Sequence, residues 1–139
     1  MATDALDQVI PDKVCLHVIS DSSGATAVRV LRGASVQFKA FDVEISVLSH
    51  LSNVDQARAY IDREVEEGEE TAVFHTIMSE QLRDAVKELL DSRGIPSVDV
   101  LGPATMVLAS VLGENPARAV GLSLDDGVEP RYTEASELA

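Results

Sequence analysis

The segment Ser20-Asp21-Ser22-Ser23-Gly24-Ala25-Thr26 gathers four hydroxyls, one carboxylate and a glycine directly after an apolar run. At the start of a helix such a segment can hold an anion. The first backbone N–H groups of a helix have no partners within it, and the aligned peptide dipoles place partial positive charge there. Ser22, Ser23 and Thr26 would add hydroxyl donors, and Gly24 lets backbone and ligand approach closely. The pattern is neither the three-glycine dinucleotide fingerprint nor a Walker loop ending in Gly-Lys-Ser/Thr. It holds no lysine to neutralise a phosphate. Asp21 would repel an anion unless it binds a ribose hydroxyl, a magnesium ion or the proton of a bound group. The plainer alternative is that Asp21 or Ser22 caps the helix. Ser22 has no adjacent base or lysine to make it a nucleophile, so no residue is assigned a catalytic role.

His75 and Thr76 close another apolar run and form a second candidate pair for ligand contact. The three histidines, His17, His50 and His75, sit on or at the ends of three different predicted strands. With no nearby cysteine or helical histidine pair, no metal site is expected. His17 reads as a satisfied core or edge group. Cys15, deep in the first strand and away from any helix N-terminus, reads as a buried, inert thiol. The acidic stretch Asp62 to Glu70 reads as a solvated helix face.

These residues need elements to carry them. Residues 13–20, KVCLHVIS, form a β-rich apolar run of the kind covered on both faces in a parallel sheet. Ala27, Val30, Leu31, Ala34 and Phe38 recur at helical spacing and predict a first helix from about Ala25 to Lys39. Residues 43–49 predict strand 2, and Asn53 caps a helix that carries Val54, Ala57, Ile61 and Val65 and ends at Gly68. Residues 71–78 predict strand 3, and Ser79 caps a third helix burying Leu82, Ala85, Val86, Leu89 and Leu90 before Gly94. A short strand at 97–101 leads through Gly102-Pro103 into a fourth helix running to about Leu112. The expectation is an α/β fold: an open parallel four-stranded sheet with helices on both faces, Rossmann-like or flavodoxin-like, strand order 2-1-3-4. Ligands bind such sheets at the carboxyl ends of the strands beside the switch point, here between strands 1 and 3. Loops 21–26 and 76–79 would face each other there.

Length, charge and composition bound the rest. The 139 residues suit one domain, divided as an extension at 1–12, the α/β domain at 13–113 and a Gly-, Pro- and acid-rich linker at 114–139. Asp and Glu outnumber Lys and Arg by 24 to 11, a formal charge of −13 that repels nucleic acid and anionic lipid. The single cysteine allows no internal disulfide, no apolar run spans a bilayer, and the acidic N-terminus is no signal peptide. Cytoplasm is the expected location.

The motifs VISDSSGATA, FDVEISVL, FHTIMSEQLRDAV and GIPSVDVLGP, in that order, resemble the N-terminal region of the bacterial pyruvate, phosphate dikinase (or phosphoenolpyruvate synthase) regulatory protein family. The resemblance covers roughly residues 13–139. It implies a bifunctional protein that uses ADP to phosphorylate a threonine of the dikinase or synthase, and inorganic phosphate to remove that phosphate as pyrophosphate. It also implies that the phosphate-binding P-loop lies in a second domain. No Gly-x-x-x-x-Gly-Lys-Ser/Thr pattern occurs in these residues, so the expectation is an N-terminal segment with no cofactor and no phosphotransfer of its own. Its role would be recognition of the target enzyme, dimerisation or effector binding. The alternative is a small-molecule sensor for a nucleotide or phosphate at the first loop. Ser23 and Ala25 stand where the family usually has Thr and Glu, and His75-Thr76 where it commonly has Tyr-Thr; Ser23 keeps a hydroxyl, whereas Ala25 lacks the carboxylate.

Overall fold

A computed structural model describes residues 12–118 and 130–133 of the chain. The extension expected at 1–12, apart from Asp12, and most of the expected linker lie outside the described residues. The elements are β1 (Asp12–Ser20), α1 (Ala25–Ser35), β2 (Phe41–Leu48), α2 (Val54–Glu64), β3 (Val73–Thr76), α3 (Glu80–Ser92), β4 (Ser97–Asp99) and α4 (Gly102–Leu112). All three strand pairings are parallel, in the order β2-β1-β3-β4. This is the expected α/β sheet, with β1 and β3 flanking the switch point.

Strand alternation divides the apolar residues of β1 between two cores. Ile19 joins Tyr60, Ile61, Val73, Val86, Leu89 and Leu90 beneath α2 and α3. Val18 joins Ala27 and Leu31 of α1, with Leu16, Val43, Ile45 and Phe74 packed around them. Each fully buried aliphatic side chain contributes about 1.5–3 kcal/mol relative to exposure, so the larger α2/α3 core carries most of the stabilisation. The helix starts follow the predicted caps: Asn53 Oδ1 accepts from Gln56 N–H at 3.0 Å, and Ser79 Oγ from Leu82 N–H at 3.2 Å.

Several boundaries differ from expectation. α1 stops at Ser35, because Gln37 and Phe38 N–H bond back to Ala34 and Ser35 carbonyls in turns. Phe38 is therefore 61% exposed; Val30, within the helix, is 46% exposed, and Ala27 and Leu31 are the buried positions of that helix. α2 ends at Glu64, with Val65 already extended, rather than reaching Gly68. β3 and β4 are shorter than expected at both ends or one. α4 has the predicted range, yet none of its residues is buried.

Candidate functional site

The β1–α1 loop takes its shape from bonds that cross the carboxyl edge of the sheet. Ser20 is fully buried, and its Oγ accepts from Ser22 N–H at 3.0 Å and from the Thr76 hydroxyl at 2.9 Å. Asp21, only 6% exposed, accepts Met78 N–H on Oδ2 at 2.7 Å, while Asp21 N–H donates to Thr76 O. The two loops expected to face each other are thus bonded together. The carboxylate braces the β3–α3 loop and does not cap α1.

A third loop completes the edge. His50 N–H donates to Ser22 O at 2.8 Å and Leu51 N–H to Ser20 O at 2.9 Å, with His50 in the left-handed region at φ 56. Sequence reasoning missed this contribution of the β2–α2 loop, because bonding between backbones leaves no side-chain signature. His50 itself is exposed beside Ser22.

α1 begins without a side-chain cap. Gly24 occupies the cap position at φ 84, and its carbonyl accepts Val28 N–H. The N–H groups of Thr26 and Ala27, one turn earlier, have no carbonyl within the helix. Ser23 and Thr26 are exposed and Ser22 is half-buried, so three hydroxyls and a positive helix end open on one surface. The Ser23 hydroxyl makes only a long contact, 3.3 Å, with Ala25 N–H. The capping alternative for Asp21 and Ser22 does not describe this loop.

His75 is placed elsewhere. It is fully buried, in register with Ile19 and Asp99, and neither ring nitrogen has a hydrogen-bond partner. Burial holds its pKa below the ordinary value, Asp99 opposes that shift, and Arg83 and Lys87 reinforce it. Its ring is closed off from the loop surface that carries Ser22, Ser23 and Thr26. His17 is also buried, its Nδ1 2.7 Å from the Tyr60 hydroxyl, which in turn donates to Ser46 Oγ. Cys15 is half-buried rather than deep, and burial, then Glu44, Glu69 and Glu64, push its thiol pKa up, which keeps it protonated and weakly nucleophilic. No group of three or more His, Cys, Asp or Glu side chains able to hold a metal occurs among the described residues. No described helix is long and apolar enough to cross a membrane.

Fold and edge together define a doubly wound α/β domain whose strand-end loops meet at the switch point. The profile of the kinase/pyrophosphorylase family matches residues 16–135, and the chain belongs to that family. A protein of Bdellovibrio bacteriovorus provisionally named a pyruvate, phosphate dikinase regulatory protein is 33% identical over 106 residues, covering 76% of this chain and 37% of the relative. A second such protein, from Syntrophomonas wolfei, is 31% identical over 125 residues, 89% of this chain and 45% of the relative. One from Geotalea uraniireducens is 27% identical over 135 residues, 84% of this chain and 49% of the relative. The chain therefore spans between about a third and a half of the length of these relatives.

Proposed function

We propose that this chain is the regulatory domain of a protein that phosphorylates a threonine of pyruvate, phosphate dikinase or phosphoenolpyruvate synthase with ADP and removes that phosphate with inorganic phosphate. Within it, the loop from Asp21 to Thr26 binds the phosphate of a nucleotide or free phosphate as an effector or recognition edge. The observation that carries the reading is the uncapped start of α1, flanked by the Ser22, Ser23 and Thr26 hydroxyls at the switch point. The bracing of Asp21 against Met78 N–H supports it, because a carboxylate engaged by a donor at 2.7 Å opposes an incoming anion less than a free one. Family membership and the names of the relatives support the target enzyme.

Amide NMR with ADP, AMP, phosphate and pyruvate tests the loop. The amides of Ser22 to Ala27 should shift with the phosphate-bearing ligands and not with pyruvate; silence of those amides with every ligand would sink the reading. Phosphotransfer is assigned to other parts of the family's chain. Normal ADP-dependent phosphorylation of the dikinase by these 139 residues alone would contradict that division.

A further inference from the structure

The amino end of the sheet, opposite the edge that gathers Ser20 to Thr26, has a groove of its own. It lies between the last turns of α2 and α3 and the segments that lead into β3 and β4, and encloses about 870 Å³. Its floor is apolar: Ile61 and Ile95 are buried members of the α2/α3 core, and Val65 packs against them. Its rim carries Asp62, Glu66, Glu67, Glu69 and Glu70, all exposed. Arg93, the basic residue of the lining, is taken by Asp62 at 2.6 Å. No described cation pairs with the glutamates of the rim. The carboxyl ends of α2 and α3 both meet this groove and add partial negative charge. His17 points to the same place independently. It is 1% exposed, and its backbone N–H donates to Ala72 O where β3 begins. Nδ1 is committed to the Tyr60 hydroxyl, on the side of Ser46, its partner in β2. That leaves Nε2 on the opposite side of the ring, toward β3, with no partner. The carboxylates whose charges act on the ring are Glu69, which leads into β3 from the groove rim, and Glu64. A buried acceptor without a donor is unfavourable, and beneath an acidic rim a cationic N–H satisfies both.

We propose that this groove binds a linear oligoamine, its methylenes on Ile61, Val65 and Ile95, its ammonium groups on the glutamate rim, and one N–H turned to His17 Nε2 directly or through a water. The arrangement selects this chemistry over a divalent ion. A metal needs carboxylates that converge on one point, and no three do so among the described residues. Charges spread along a rim around an apolar floor match a ligand whose own charges are spaced by hydrocarbon. The volume falls in the range of small-molecule sites, roughly 300–1,000 Å³. The groove is at the other end of the strands from the Asp21 to Thr26 loop, and its occupancy does not depend on what that loop binds.

Titration of the whole chain with spermine at ~0.01 M salt, followed by amide NMR, should give saturable shifts confined to residues 61–71 and 92–96. Long-range proton–nitrogen spectra should show the His17 Nε2 resonance moving with them. Magnesium chloride at equal ionic strength should not reproduce the pattern, and a lysine tripeptide amide of equal charge should bind more weakly than spermine. Glu67→Gln with Glu70→Gln should weaken binding about fivefold or more. Glu69 stays in place because it accepts Glu66 N–H at 3.0 Å and shapes the turn. Asp42→Asn with Glu88→Gln removes the same charge from exposed positions outside the groove and should change the affinity by less than about twofold. Shifts scattered over the acidic surface, equal weakening by both pairs, or the same pattern with magnesium would mean general charge attraction and overturns the proposal. An unmoved His17 Nε2, or tighter binding of the tripeptide, overturns it equally.

Discussion

His17 and His75 are buried for different reasons, and their protonation sets how the fold responds to acid. With Tyr60 giving its proton to Ser46, His17 donates through Nδ1–H to the Tyr60 oxygen, leaving Nε2 bare and unpaired. His75 has neither nitrogen paired. Burial lowers both pKa values below 6.5, so the folded state binds these protons less readily than the unfolded state. The sign follows: stability is intact above the unfolded value of 6.5 and falls as pH drops from there toward the depressed folded values. Urea denaturation between pH 8 and about 5 should show this loss, ahead of the range in which ordinary carboxylates protonate. His75→Gln should be less stable than the parent at pH 8, with an amide now buried, but should lose less on acidification. A variant with the same acid slope as the parent would show that His75 does not contribute.

At the scale of the element, the β1–α1 turn depends on Gly24 more than on any hydroxyl. A Cβ at this position would lie 3.1 Å from Val47 Cγ1 and 3.2 Å from Val18 Cγ1, on a backbone at φ 84. The left-handed conformation alone costs a non-glycine residue about 1–2 kcal/mol, and the two valines must also yield. Gly24→Ala should therefore lower stability by about 2 kcal/mol in a urea melt and move the amides of Ser22 to Thr26 in the ligand-free spectrum; an unchanged melt would mean that the loop relaxes freely. The element pattern was legible in the sequence because apolar period and caps agreed: Asn53 and Ser79 start helices where polar residues precede periodic apolar ones. The end of α1 was not, because Phe38 keeps helical spacing while the chain has already turned. The β1–α1 and β3–α3 loops of the edge could be placed from the switch-point rule. The burial of His75 could not, since alternation assigns a side chain to a face without revealing how α3 closes over it.

For the whole molecule the deciding quantity is the excess of acid over base. Even if all 11 Lys and Arg side chains were paired, 13 of the 24 carboxylates would have no cationic partner. Arg83 with Asp99 at 3.8 Å is partly buried, whereas most ion pairs of the described residues lie at the surface, such as Lys87 with Asp91 at 3.0 Å and side chains 54% and 58% exposed. Such pairs contribute at most ~1 kcal/mol each and weaken in salt. The repulsion among unpaired carboxylates is also screened by salt, and it acts across the whole surface, densest at Glu66, Glu67, Glu69 and Glu70 after α2. Repulsion outweighs pairing in this balance, so added salt should stabilise the fold. Urea melts should show a higher midpoint at ~0.15 M than at ~0.01 M sodium chloride, where the Debye length is ~30 Å. The midpoint should then level off near 1 M, where the length is ~3 Å and little remains to screen. A midpoint that fell with salt would mean that the few ion pairs, Arg93 with Asp62 and Arg118 with Glu80 among them, dominate the surface after all.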